Sequence, residues 1–338
     1  MKSNIQLSLK KLVDRIDLSR DEAEQVMSDI MTGQCTDAQI AGWLTALAMK
    51  GETADEIAAG IKVMRDNVLK ISCDDNQAVD IVGTGGDGIG TWNISTASVF
   101  VAAGAGVTVA KHGNRALSSK SGSADVLSSL GINTACSVEV MTSALNSIGV
   151  SFLFAPLLHP AMKYAIGPRR EMGIRTLFNM LGPMTNPAGV RRGLIGVFNN
   201  HYCRILAEAG QKLGEEHMFF VHGLDGLDEA SVTKPTYVCE VKGGELKEYE
   251  ITPEQFGLKS WPLDDLLGGE PDQNAAELRA VLEGKQGAYR DAIILNAGLG
   301  IFTTGKFSSI EDAVAAAAQS IDSGMAIGKL DALIEATN

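Results

Sequence analysis

Aromatic side chains are scarce, with Phe, Trp and Tyr making up 5% of 338 residues. That scarcity excludes the rows of stacking platforms on which nucleic-acid binders lay successive bases. Surplus positive charge is also missing. There are 41 Asp and Glu against 29 Lys and Arg, a net charge of −12, whereas a general nucleic-acid binder carries a basic face. Long apolar runs are absent too. The opening MKSNIQLSLKKLVDRID holds none that suits a signal peptide. The least charged stretch, residues 88–110, carries Thr91, Asn93, Ser95, Thr96 and Ser98 and is too polar for a membrane span. The five cysteines (Cys35, Cys73, Cys136, Cys203 and Cys239) are odd in number, scattered and in no metal-ligand spacing. Free thiols in a reducing cytosol are expected. What remains, 45% hydrophobic and 21% charged, is ordinary globular composition. The length suits two domains or one large one, with a core that needs no disulfide or metal staple.

The net charge hides an asymmetry. Residues 1–75 hold 13 acids and 9 bases, residues 76–214 hold 6 and 11, and residues 215–338 hold 22 and 9. The middle third is therefore a basic island in an acidic chain. No acid occurs from 88 to 124, and 163–192 has six bases against the single acid Glu171. Such an island suits a pocket for a small, strongly anionic ligand.

The first seventy residues read as helices. Ser19…Glu22, Thr36…Gln39 and Thr53…Glu56 are capping-box spacings, in which hydroxyl and carboxylate or carboxamide satisfy each other's orphan amides. Ile40, Trp43, Leu44 and Leu47 follow at helical spacing, and Gly33 and Gly51 stand where helix ends belong. From Ala78 the pattern changes. Short apolar runs at 79–82, 107–110, 151–154, 194–197 and 217–221 alternate with helical segments near 95–104, 123–130, 137–148 and 201–213. That alternation implies a parallel sheet covered on both faces. Residues 237–241 and 245–251 flank Gly243-Gly244 and read as an antiparallel hairpin. Helices return at the end, starting at Ser309…Asp312. The fold class is therefore α/β: a small N-terminal all-helical domain (1–75), joined by the helical segment 159–189, plus a large domain (76–338) with a mostly parallel central sheet flanked by helices.

Three glycine-bearing segments carry chemistry. Residues 83–88 (GTGGDG) match G-x-G-x-x-G after a strand, but the dinucleotide reading needs an acid about 20 positions on. No acid follows until Asp125. The Walker Gly-Lys-Ser/Thr is absent as well. What the loop offers is backbone amides that can approach an anion. Ser95 and Thr96 then open an apolar helix, where the dipole favours phosphate and a hydroxyl can ligand Mg²⁺. The second segment, residues 111–123, combines Lys111, His112, Arg115 and Lys120 with hydroxyls and glycines after the next strand. Two such loops on consecutive strands suggest a ligand with two separated anionic groups. In the third segment Asp228-Glu229 sits in a glycine-rich turn after another strand, which suits a divalent cation carrying phosphate oxygens.

Residues 80–96 (DIVGTGGDGIGTWNIST), 111–131 (KHGNRALSSKSGSADVLSSLG), 169–187 (RREMGIRTLFNMLGPMTNP) and 222–231 (HGLDGLDEAS) closely resemble anthranilate phosphoribosyltransferase, of tryptophan biosynthesis. The resemblance spans nearly the whole chain. It implies a cytoplasmic homodimer that transfers phosphoribose from phosphoribosyl pyrophosphate (PRPP) to the amine of anthranilate with Mg²⁺, in a cleft between two domains. Carried onto matching positions, it implies PRPP contacts from Gly83, Gly86, Asp87, Thr91, Asn93, Ile94, Ser95 and Thr96. A second set comprises Lys111, His112, Gly113, Asn114, Arg115, Ala116, Leu117, Ser118, Ser119 and Ser123. Gly83, Asn114 and Arg169 would contact anthranilate, and Ser95, Asp228 and Glu229 would hold metal. No residue is assigned as acid or base, and His112 is expected to bond or pack rather than react. Trp92 departs from the family's Phe, and Ile166-Gly167 from its usual Val near the arginines. The competing readings are a pyrimidine nucleoside phosphorylase and a non-catalytic nucleic-acid-binding relative. Asn114 and residues 169–176 weigh against the first, and the intact Asp228-Glu229 pair with the acidic C-terminal third against the second. No nucleic-acid or membrane partner is expected. Association with a glutamine amidotransferase is left open.

Overall fold

A computed structural model describes residues 2–115 and 120–338. Four helices open the chain: α1 (Asn4–Val13), α2 (Arg20–Met31), α3 (Asp37–Lys50) and α4 (Ala54–Asp66). All three capping boxes form, with Ser19, Thr36 and Thr53 at the N-caps. Glu56 does more than cap. It is fully buried, and it accepts from Lys50 Nζ at 2.9 Å and from the Leu18 amide at 2.9 Å. One carboxylate thus ties together the ends of three helices.

The α/β part follows with β1 (Asp80–Gly83), α5 (Ile94–Gly104), β2 (Val109–Gly113), α6 (Ser123–Ser129), α7 (Val138–Ile148) and β3 (Val150–Phe154). A helical insert comes next: α8 (Ala155–Leu158), α9 (Lys163–Met172) and α10 (Leu177–Leu181). The chain then returns to strands with β4 (Arg192–Gly196), α11 (Asn200–Leu213), β5 (His217–Gly223), β6 (Thr236–Lys242) and β7 (Glu245–Ile251). It ends in α12 (Pro271–Leu282), α13 (Ala288–Phe302), α14 (Ile310–Asp322) and α15 (Met325–Thr337).

Strand order is β1-β4-β5-β6-β7 in one sheet and β2-β3 in a second. A parallel bridge between Val79 and Val109 joins the two edge to edge. Pairing is parallel from β3 through β5 and antiparallel for β5-β6 and β6-β7, so the sheet is mixed, with the hairpin on one edge. Every expected strand forms. The second is displaced from 107–110 to Val109–Gly113, because Val107 and Thr108 lead into it from the end of α5.

The sheet separates two cores, and strand alternation assigns side chains to each. Leu194, Phe219, Val221 and Val238 face α5 and the C-terminal helices, whereas Ile195, Phe220, Cys239 and Val241 join a core with α11 and the first four helices. Leu177 and Leu181 of the insert belong to that second core. The connections between the helical and α/β parts run side by side, held by Leu69 N–H to the Leu158 carbonyl (2.8 Å) and Ile71 N–H to the Pro187 carbonyl (3.0 Å). The parallel strands β1, β2, β4 and β5 each end in a glycine. The candidate site lies at these carboxyl ends, where open α/β sheets bind ligands.

Candidate active site

The loop after β1 is held at both ends. Thr84 N–H donates to the Gly196 carbonyl (2.8 Å), and Gly85 N–H to Asp228 Oδ2 (2.6 Å). Further on, Ile89 N–H donates to Asp87 Oδ1 (3.2 Å) and Trp92 N–H to the Leu266 carbonyl (2.9 Å), while Thr91 pairs with Leu267. Trp92 stacks on Tyr289 at 5.7 Å, so the indole is part of the loop's support. Glycine at 83 leaves room for the acid, since a Cβ there would lie 2.6 Å from Asp228 Oδ2 and would force the carboxylate to shift.

Asn93 is the N-cap of α5, but its side chain serves other partners. Its Oδ1 accepts from Asn274 Nδ2 (2.8 Å), and its Nδ2 donates to the Ser121 carbonyl (3.3 Å). The amide of Ser95 is taken by Glu229 Oε1 at 3.0 Å, a carboxylate at a helix N-terminus where the dipole favours it. Thr96 donates its hydroxyl to Ser123 (3.0 Å), joining the first phosphate-type segment to the second. Ile94 is buried and packs in the core.

Asp228 and Glu229 sit together beneath this loop. Asp228 keeps some surface exposure and Glu229 is buried. Burial, then the charges of Asp87 and Glu229, push Asp228 well above the usual carboxylate range. Burial raises Glu229 to about 7 against the opposing charge of Lys111. Asn296, itself fully buried, holds the turn by accepting from Ala230 N–H (2.9 Å) and donating to the Ala230 carbonyl (2.8 Å). Asp225 is consumed structurally, by the hydroxyls of Ser231 and Thr233. A pair of oxygen donors crowded by a third acid, with one buried lysine to offset them, fits a hard divalent cation such as Mg²⁺. Among the described residues no three His, Cys, Asp or Glu side chains form a ready-made cage. Mg²⁺ ordinarily takes one or two carboxylates and completes its shell with phosphate oxygens and water.

The second segment divides into a buried half and an exposed half. Lys111 is 1% exposed, and its Nζ donates to the Ile81 carbonyl (2.8 Å) between Asp80 and Glu229. It is therefore a counter-charge inside the sheet. His112 is also buried. Its Nδ1 lies 3.1 Å from the Gly182 carbonyl and its Nε2 3.1 Å from His159 Nε2. A carbonyl only accepts, so Nδ1 carries the proton and His159 donates to Nε2. Burial lowers His112 to about 3 and His159 to about 4, so both rings are neutral. Asp80 accepts from Asn186 Nδ2 (2.7 Å) and from the His112 amide (3.3 Å), and burial raises it to about 6. Gly113, Asn114 and Arg115 lead out to the surface, with Arg115 on Asp125 at 3.4 Å. Ser123 opens α6. Ala116, Leu117, Ser118 and Ser119 lie outside the described residues.

Arg169, on α9, lies over the Phe178 ring at 5.2 Å and has no ion-pair partner among the described residues. Burial lowers its pKa, which raises the gain from meeting a carboxylate. No hydrogen bond among the described residues joins it to Asn114 or Gly83. By contrast, Gly83, Gly85, Ser95, Lys111, Asp228 and Glu229 form one connected cluster. Sequence reasoning missed Asn274, Tyr289 and Asp80. The first two lie some 180 residues or more from the loop they support, and nothing local marks them.

The α/β domain of a glycosyl transferase family matches residues 75–327, and that family's helical bundle domain matches residues 7–68. Anthranilate phosphoribosyltransferase of Pelotomaculum thermopropionicum is 48% identical over 333 residues, covering 98% of this chain and 96% of its own. The crystal structure of the Thermus thermophilus enzyme of that name superposes with a TM-score of 0.92 at 42% identity, covering 97% of this chain and 98% of the other. The Saccharomyces cerevisiae enzyme, in complex with PRPP and Mg, gives 0.89 at 27% identity, covering 98% and 97%. A further structure of that yeast enzyme holds 4-fluoroanthranilate. Two domain matches in the expected order, with full-length identity near one half, place this chain in the anthranilate phosphoribosyltransferase family of glycosyl transferases.

Proposed function

We propose that this chain transfers the phosphoribosyl group of PRPP to the amine of anthranilate, giving N-(5-phosphoribosyl)anthranilate and pyrophosphate. The observation that carries the reading is the convergence of Asp228 and Glu229 on the loop after β1 and the start of α5. The bond from the anomeric carbon to pyrophosphate breaks, a bond to the arylamine nitrogen forms, and the nitrogen loses a proton. The reacting carbon carries oxocarbenium character. The arylamine is neutral at pH 7, so the residues here position rather than deprotonate. His112 and His159, neutral and bonded to each other, act as supports.

Gly83, Gly86 and Asp87, with Thr91 and Asn93 to Thr96, face the pyrophosphate side. The segment 111–123 takes the second anionic group, with Lys111 acting from within and Asn114, Arg115 and Ser123 at the surface. Ser95, Asp228 and Glu229 would hold Mg²⁺, which when bound offsets charge on the leaving pyrophosphate. Arg169 takes the anthranilate carboxylate through its planar fork, with Gly83 and Asn114 lining the same ligand. We assign residues 1–75 and the insert 159–189 to a smaller helical domain, and the rest to the larger one. Exposed Leu7, Val13, Ile16 and Met49 on the helical part support a homodimer. No helix among the described residues is long and apolar enough to cross a membrane, and a cytoplasmic location accords with the free thiols. Anthranilate fluorescence followed with PRPP and Mg²⁺ tests the reading. Loss of signal that needs both supports it, whereas phosphorolysis of thymidine or uridine without anthranilate consumption overturns it.

A further inference from the structure

Arg175 lies between α9 and α10, outside every set assigned above. Gly173 ends α9 at φ +63°, and Thr176 begins α10. From this helical insert the guanidinium reaches the loop after β1 and donates from Nη2 to the Gly86 carbonyl. Its Cζ lies over the Phe198 ring, 4.4 Å from the centroid, on an otherwise exposed side chain. The approach depends on Gly86, which has φ +81°, and a Cβ there would sit 3.3 Å from Arg175 Nε. Arg175 has no carboxylate partner among the described residues, so the loop carbonyl and the Phe198 ring are its contacts.

The loop's amides show what this bond controls. Those of Thr84, Gly85 and Ile89 are bonded to the Gly196 carbonyl, Asp228 and Asp87. Those of Gly86, Asp87 and Gly88 have no hydrogen-bond partner among the described residues. Three consecutive amides between pinned ends make an anion-binding concavity. In a trans peptide the carbonyl and the next N–H point in opposite directions. Holding the Gly86 carbonyl on Arg175 therefore turns the Asp87 N–H away from the guanidinium.

We propose that Arg175 is a positioning residue for substrate: it orients the Gly86–Asp87 peptide so that the free amides of 86–88 are set for the pyrophosphate of PRPP. This rests on reading that loop as the pyrophosphate side. It also gives the helical insert a direct hold on the sheet's phosphate loop.

The test uses the full chain with PRPP and Mg²⁺ in calorimetry, steady-state kinetics and hydrogen exchange. Arg175→Met should weaken PRPP binding and raise its KM by about tenfold, with little change in the anthranilate KM and a smaller effect on kcat than on the PRPP KM. Arg175→Lys keeps the charge but loses the fork and the stack, so it should resemble Met. Full rescue by Lys would overturn positioning in favour of simple charge attraction. An unchanged PRPP affinity in Arg175→Met, with wild-type amides 86–88 protected by PRPP, would overturn this inference alone. Failure of PRPP to protect those amides in wild type would remove the loop reading beneath it. Equal losses for both substrates would mark a general packing role and also overturn the proposal.

Discussion

At the scale of single residues, the charges that matter are those with few protein partners or with little water. Arg169→Ala should raise the anthranilate KM by about tenfold or more, because a charge-assisted bidentate contact contributes about 1.5–3 kcal/mol, and should move the PRPP KM less. Paired kinetic titrations check this, and an unchanged anthranilate KM in a folded variant would remove Arg169 from that contact. The buried histidines give a pH signature. Their pKa values, about 3 for His112 and about 4 for His159, lie below the ordinary value of about 6.5. Below about pH 6.5 the unfolded chain therefore binds more protons than the folded one. The stabilisation from these rings is fully present above that pH and lost as pH falls toward 4 and then 3. Asp80, raised to about 6, acts in the opposite sense, stabilising most below about pH 4 and least above 6. Denaturant titrations from pH 7 to 4.5 should show a shallower acid loss in His159→Gln than in wild type, and parallel curves would contradict the assignment. The sequence made Lys111 look like a ligand-loop cation. Its burial was illegible because alternation within a strand decides which face a side chain takes, and register is set by Val150 and its neighbours far along the chain.

At the scale of elements, local chemistry was the more readable part. Hydroxyls three residues before an acid or amide marked the helix starts, and short apolar runs marked the strands, because caps and burial patterns are decided within a few residues. The candidate site was legible as three separate segments. The bonds that join them, Gly85 to Asp228, Ser95 to Glu229 and Thr96 to Ser123, came only with the fold. This junction predicts that Gly83→Ala, whose Cβ would meet Asp228 Oδ2 at 2.6 Å, displaces the carboxylate. The Mg²⁺ concentration needed for half-maximal activity should then rise severalfold while circular dichroism stays native. Asp228→Asn with Glu229→Gln keeps shape and removes charge, so activity should collapse at low Mg²⁺. Wild-type Mg²⁺ dependence in that double variant would reduce the pair to a structural turn.

At the scale of the whole molecule, the helical part and the sheet share a core through α11, with Ile195, Phe220 and Val241 on the same side as Trp43 and Leu44. This bears on whether the two parts could close over substrate. Closure over PRPP would exclude water from an oxocarbenium-like centre, with hinges expected at residues 73–78 and around Gly189, where the helical and α/β patterns change over. The shared core limits the amplitude, so PRPP with Mg²⁺ should compact the particle only slightly in solution scattering, and no compaction would remove closure from the mechanism. The central claim is the group transfer itself. It is tested most directly by counting pyrophosphate released against anthranilate consumed in one reaction with PRPP and Mg²⁺. The account predicts one pyrophosphate for each anthranilate and none when anthranilate is withheld. Pyrophosphate released without anthranilate consumption, or no release with both substrates present, would contradict it.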